Sequence, residues 1–170
     1  MVPGATGAAN GPVVVDLGCG DAPRRGAIGL DIAAGPGVDI VCAAGFEPLP
    51  FADGSVTMFL AWDFLEHLPV SVWHHTGSGA PTVHRPRIAL LRDIYRCLRP
   101  GGAFVSHTPT VAPAWAQDPT HEAPPWVPET WRYFCGEVPA VARHGIDFAF
   151  ELVRCRVDGA HLDVTVRKPG

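Results

Sequence analysis

Hydrophobic and polar positions follow two different periods along this chain. Val13-Val14-Val15 is a short β-branched run opening after Gly11-Pro12, and it reads as a buried parallel strand. Three similar runs follow: residues 27–30, ending at Asp31; residues 38–41; and residues 56–61, behind the turn Ala52-Asp53-Gly54-Ser55. From Arg87 to Leu98 the period becomes helical. Ile88, Leu91, Ile94, Tyr95 and Leu98 recur on one side, and Arg92, Asp93 and Arg96 fall elsewhere. Arg99-Pro100-Gly101-Gly102 stops that helix, and residues 103–106 predict a fifth strand.

Thr108 to Pro128 is rich in Pro, Ala and Trp, shows no period and reads as a long loop, as does the insertion at 69–85. A short helix starts at Pro128-Glu129-Thr130-Trp131, and Val138 to Arg143 is a candidate for another. In the tail, Phe148, Phe150 and Leu152 share one face and Leu162, Val164 and Val166 another, around Asp158-Gly159, which predicts an antiparallel hairpin. Strand and crossover therefore repeat before a final hairpin. The expectation is one α/β domain over residues 1–170, with residues 1–12 flexible. It is Rossmann-like and doubly wound, with a mostly parallel seven-stranded sheet and a C-terminal antiparallel hairpin.

Composition narrows the function classes. The 170 residues fit one domain, and 47% hydrophobic against 18% charged residues suits a packed core. The net charge of −4 and the lack of any Lys/Arg run remove the electrostatic footprint of a nucleic-acid binder. No apolar run reaches the roughly 18 residues of a membrane span. Met1 to Asn10 shows no basic region followed by an apolar core. Cys19, Cys42, Cys97, Cys135 and Cys155 form no C-x-x-C pair, which suits reduced thiols in a cytoplasmic protein. The expected partner is a small-molecule substrate, with no nucleic acid and no membrane.

The chemistry-bearing motif is Asp16-Leu17-Gly18-Cys19-Gly20-Asp21, directly after the first strand. Gly18 and Gly20 allow a tight turn and let a ligand approach the backbone. Asp31 closes the second strand, where an acid can accept both ribose hydroxyls of a nucleoside. A dinucleotide site would carry a third glycine where Pro23 stands. A purely structural turn after a strand remains the other reading of this motif.

With these residues in place, the chain resembles the class I S-adenosylmethionine-dependent methyltransferases, in a short-first-crossover form like methyltransferase domain 11. Val13 to Gly20 resembles the family's first motif, and Gly29-Leu30-Asp31-Ile32 its second. Leu49-Pro50-Phe51-Ala52-Asp53-Gly54-Ser55-Val56, Phe64-Leu65-Glu66-His67-Leu68 and Leu98-Arg99-Pro100-Gly101-Gly102 resemble three more, in the family's order. The resemblance implies S-adenosyl-L-methionine as cofactor. Gly18, Cys19 and Gly20 would line its methionine part, and Asp16 would orient the amino group. Asp31, with Ile32 beside it, would bind the ribose. Glu47 to Leu49 would flank the adenine. Trp62 and Asp63 sit where the fourth strand ends, facing the expected methyl group.

The chain also departs from the family. Ala22 stands for the third glycine, Thr57 for the Asp opening strand four, and Ala44 and Gly45 for the acid that meets the adenine amine. The stretch from Gly20 to Ala27 is too short for the usual first crossover helix. The activity implied is methylation of a small-molecule acceptor. Two alternatives stay open: a cofactor-binding but inactive partner or regulatory module, and a non-methylating enzyme on the same fold. A homo-oligomer or a partner subunit would complete a domain of this shortened kind.

Methyl transfer from a sulfonium needs mostly positioning and a dry site, with a general base when the nucleophile is neutral. Asp63, Glu66 and His67 have i, i+3, i+4 spacing and read as sharing a helical face, either as base and anchor or as cap and packing. Asp118-Pro119-Thr120-His121 either brings His121 over the substrate or forms an Asx-turn that fixes the loop. Asp63, His67 and His121 are the catalytic candidates. Trp115, Trp126 and Trp131 read either as a substrate wall or as cover for the sheet. His74, His75 and His84 match no standard ligand spacing, so no metal is assigned.

Overall fold

The computed structural model describes residues 11–75, 77, 79–113, 115–138 and 141–170. Its strands and helices, in chain order, are β1 (Val14–Leu17), β2 (Ile28–Asp31), β3 (Ile40–Val41), β4 (Val56–Trp62), β5 (Val72–His74), β6 (Thr82–His84), α1 (Pro86–Cys97), β7 (Leu98–Pro109), α2 (Pro128–Phe134), β8 (Glu151–Asp158) and β9 (His161–Arg167). Seven strands form one sheet in the order β3-β2-β1-β4-β7-β9-β8, and β5 pairs with β6 apart from it. The first five strands of that sheet are parallel; β9 runs antiparallel to β7 and β8 to β9. This is the Rossmann-like, mostly parallel sheet with a terminal antiparallel pair that the periodicity predicts.

One face of the sheet carries the core. The register aligns Val15 with Phe59, Leu17 with Ala61, Phe59 with Phe104 and Phe104 with Val166, and all of them are fully buried. Both helices pack on this face: Trp131 of α2 lies 6.0 Å from Phe104, and Tyr95 of α1 lies 5.2 Å from Phe150. Right-handed crossovers from β4 through α1 to β7, and on through α2, place both helices there. Trp126 and Trp131 are completely buried, so these two tryptophans cover the sheet.

On the opposite face the links from β1 to β2 and from β2 to β3 are turns. They fit because Gly29 of β2 has no side chain. A Cβ there would sit 2.3 Å from the Gly37 carbonyl oxygen and 2.9 Å from Cys19 Sγ. Turn packs on turn where a crossover helix would otherwise stand.

Two expected loops have structure. Residues 69–85 contain the β5–β6 hairpin. Residues 108–128 contain a 3-10 turn at Trp115–Gln117 and are clamped by Arg87, the second residue of α1. The buried Arg87 guanidinium donates to the carbonyls of Leu68 (2.7 Å), Pro124 (2.8 Å) and Glu122 (3.1 Å). Burial lowers its pKa to about 10, which still leaves it charged at neutral pH. Of the candidate helix at 138–143, residues 139 and 140 lie outside the described residues, and a 3-10 turn spans Val141–His144. Residues 1–10 of the segment expected to be flexible also lie outside them.

Gly29→Ala is expected to destabilise the protein by about 1–3 kcal/mol, the usual penalty of overpacking. The urea midpoint reads this out at unchanged m-value.

Candidate functional site

Where β1 hands over to β2 on one side and β4 on the other, the strand order reverses, and ligands of open α/β sheets bind at the carboxyl ends there. A cavity of about 310 Å³ lies at that point. Gly18 and Gly20 form its floor, both with positive φ (65° and 54°). Gly18 donates to the Leu30 carbonyl at 2.8 Å. Its side-chain position is occupied: a Cβ would stand 2.5 Å from the ring of Phe64 and 2.9 Å from Phe64 Cβ. Asp31 lines the cavity and ties the glycine bend to β2, because its Oδ2 accepts the Gly20 N–H at 2.9 Å.

Six predicted residues line this cavity: Gly18, Gly20, Asp31, Ile32, Asp63 and His67. The others sit elsewhere. Asp16 is buried beneath the turn after β1, where it accepts the Arg24 N–H at 2.8 Å. The Arg24 guanidinium in turn stacks 3.9 Å over Trp62. Cys19 lies behind the bend, its thiol pKa raised by burial and then by Asp31, so it stays protonated. Glu47 lines a neighbouring hollow and accepts the Ala43 N–H at 3.1 Å. Leu49 is in the core, its N–H donating to Asp93. Leu30, Cys42, Ala43, Ala44, Phe46, Phe64 and Leu68 complete the lining, and none of them is a predicted site residue. Of these, Ala43 adjoins the Ala44-Gly45 departure from the family's adenine acid, which is the one signal that points there.

Past the mouth of the cavity the chain turns sharply. Asp63 takes a left-handed backbone (φ 48°), and its N–H donates to the His107 carbonyl at 2.9 Å. Leu65–His67 is a single 3-10 turn whose N-cap, Phe64, makes no side-chain cap. Asp63 lies before this turn in its left-handed conformation, so the shared face expected for Asp63, Glu66 and His67 does not form. Glu66 points inward and is 1% exposed, while Asp63 and His67 are exposed. Glu66 Oε2 accepts the Thr108 hydroxyl at 2.7 Å, and Oε1 has no partner among the described residues. Burial raises the Glu66 pKa.

The long loop reaches this turn from above. Its Asx-turn forms, with Asp118 Oδ1 accepting the Thr120 N–H at 2.8 Å. It delivers His121, which is 9% exposed, to 3.9 Å from Glu66 Oε1. His67 meets the same ring edge-on at 4.9 Å.

Solved structures similar to the chain share its fold. A methyltransferase dependent on S-adenosylmethionine from Archaeoglobus fulgidus superposes with a TM-score of 0.59 at 15% identity, over 92% of this chain and 86% of that one. A chain of the Haloferax volcanii complex formed with the Trm112 methyltransferase activator gives 0.58 at 15% identity, over 94% and 84%. The antibiotic-resistance methyltransferase Kmr gives 0.52 at 18% identity, over 94% and 87%. No protein-family model and no curated protein matches the chain. The fold is that of the class I S-adenosylmethionine-dependent methyltransferases.

A buried carboxyl with a raised pKa binds its proton more tightly in the folded than in the unfolded state. Its contribution to stability is full below the ordinary value and is lost as pH rises through the folded one. Glu66→Gln is therefore expected to melt higher than the unsubstituted protein at neutral pH in EDTA. It should flatten the decline in melting temperature above about pH 4.5.

Proposed function

We propose that this chain is a methyltransferase that binds S-adenosyl-L-methionine and methylates a small-molecule acceptor. The observation that carries the reading is the cavity at the switch point of a methyltransferase fold, floored by Gly18 and Gly20 and edged by Asp31. Asp31 keeps acceptor capacity for ribose hydroxyls beyond its bond to Gly20. Ile32, 70% exposed, and Phe46 offer apolar walls for adenine beside Ala43. No acid meets the adenine amine in this arrangement, so adenine is held by its faces.

The glycine bend would hold the methionine end. Asp31 and Asp63 on the cavity wall suit a sulfonium cation by charge. The acceptor enters on the side of Asp63 and His67, with His121 behind them. Bound in this cavity, the cofactor would supply an activated methyl group, and Asp63 and His67 would position the acceptor for in-line transfer, with the carbon–sulfur electrons returning to sulfur and the acceptor proton lost. The net charge of −4 and the lack of a Lys/Arg run favour a small-molecule acceptor over a nucleic acid.

Isothermal titration is expected to give roughly micromolar affinity for the cofactor, about −8 kcal/mol. Asp31→Ala should lose roughly 1.5–3 kcal/mol, the worth of hydrogen bonds to a charged group. Gly18→Val should abolish binding, because its side chain displaces Phe64 into the cavity. A folded protein that releases no heat with the cofactor and none with S-adenosylhomocysteine contradicts the reading.

A further inference from the structure

Three groups beside the cavity converge without a donor among them. Thr120 has one hydroxyl proton, and the hydroxyl donates it to Asp118 Oδ1 at 2.6 Å. The 3.1 Å contact between Thr120 Oγ1 and His67 Nδ1 must then be donated by the imidazole, which leaves His67 Nε2 with a free lone pair. His121 Nδ1 donates to the Trp115 carbonyl at 2.8 Å, so His121 Nε2 also carries a lone pair. The third group is Glu66 Oε1, buried and without a partner among the described residues. One ligand atom from each of Glu66, His67 and His121 can be chosen so that all lie within 4.8 Å of one another.

We propose that Glu66, His67 and His121 bind a divalent transition-metal ion at the acceptor end of the cavity. Two imidazole nitrogens and one carboxylate oxygen are the donor set of two-histidine, one-carboxylate sites, which suit ions such as Zn²⁺, Co²⁺ or Fe²⁺ and leave positions open. The outer shell has the form such sites require. Each histidine gives its other ring N–H to an oxygen, a backbone carbonyl for His121 and a hydroxyl for His67. Thr108 holds the second oxygen of Glu66, and Asp118 Oδ2 lies 3.9 Å from His121 Nε2 as an outlying carboxylate. Bonds of about 2.0–2.2 Å draw ligand atoms to about 3–3.5 Å of each other. His67, exposed, is free to turn inward, while the Arg87 clamp and the Glu122 N–H bond to the Glu66 carbonyl (2.8 Å) hold the other two ligands.

A second cluster, Asp63, His107 and His161, does not make the same case. Its imidazoles stack at 4.4 Å with planes 15° apart, so their lone pairs cannot meet on one ion. None of its atoms is buried and orphaned among the described residues.

The ion site stands on the chain's own geometry, and its role in catalysis rests on the methyltransferase reading. His67 lines the cavity, so an acceptor hydroxyl reaches an open position of the ion. There the ion would lower the hydroxyl pKa so that its proton passes to water, and the acceptor oxygen would take the methyl group as the carbon–sulfur electrons return to sulfur. The products are a methyl ether, S-adenosylhomocysteine and one proton. Class I methylation of an oxygen acceptor is the chemistry this arrangement favours.

Co²⁺ titration of the untagged full chain, followed by absorbance without cofactor, tests the site. The expected result is one ion per chain, ligand-field bands and no thiolate charge-transfer band. His67→Ala lies on the surface and leaves folding intact; it should weaken binding at least about tenfold. Glu66→Gln and His121→Ala should weaken it further, and His107→Ala should leave it unchanged. Absence of a stoichiometric ion, or binding that survives His67→Ala and Glu66→Gln, overturns the proposal. Loss of binding in His107→Ala alone also overturns it. Cofactor titration in EDTA reads the methyltransferase function separately, so the two can fail independently.

Discussion

The contact between Gly18 and Phe64 holds the two halves of the site together. The chain leaves β1 in a left-handed bend, and the ring of Phe64 fills the space where any other residue would carry its Cβ. Phe64 in turn opens the 3-10 turn that carries Glu66 and His67. A single steric fit therefore sets the distance between the proposed cofactor floor and the proposed acceptor wall. Asp31 reinforces it from the β2 side by accepting the Gly20 N–H.

The acceptor wall depends on a second, longer-range constraint. The loop after β7 has no periodicity to hold it in place, yet three carbonyls on it and on the 65–68 turn accept from one buried guanidinium. Trp126 adds an indole N–H bond of 2.9 Å to the Leu65 carbonyl. These bonds fix His121 against Glu66, the proposed site of chemistry. A loop that would otherwise cost conformational entropy to order is already ordered here.

The sheet was legible because its strands are short β-branched runs punctuated by glycine and proline, and the helix because five apolar residues keep one spacing. The β5–β6 hairpin was not, since runs of three residues such as Val72-Trp73-His74 carry no usable period. The common face for Asp63, Glu66 and His67 assumed one continuous helix, and Asp63 instead lies before the 3-10 turn in a left-handed conformation. Burial of Glu66 against Thr108 joins residues far apart in sequence, and nothing local announces it. The glycine bend and Asp31 were legible because a left-handed turn and an acid at a strand tip are local chemistry; Phe64, which makes the bend matter, was visible only in three dimensions. Asp16 belongs to the first motif and Trp62 ends β4, yet Arg24 engages both, a contact the short crossover makes available.

The most direct test is a crystal structure grown with excess S-adenosylhomocysteine. Ribose hydroxyls are expected on Asp31, adenine between Ile32 and Phe46, and the thioether over Gly18 facing Asp63. A cavity left vacant, or a ligand bound away from the glycine bend, contradicts this assignment.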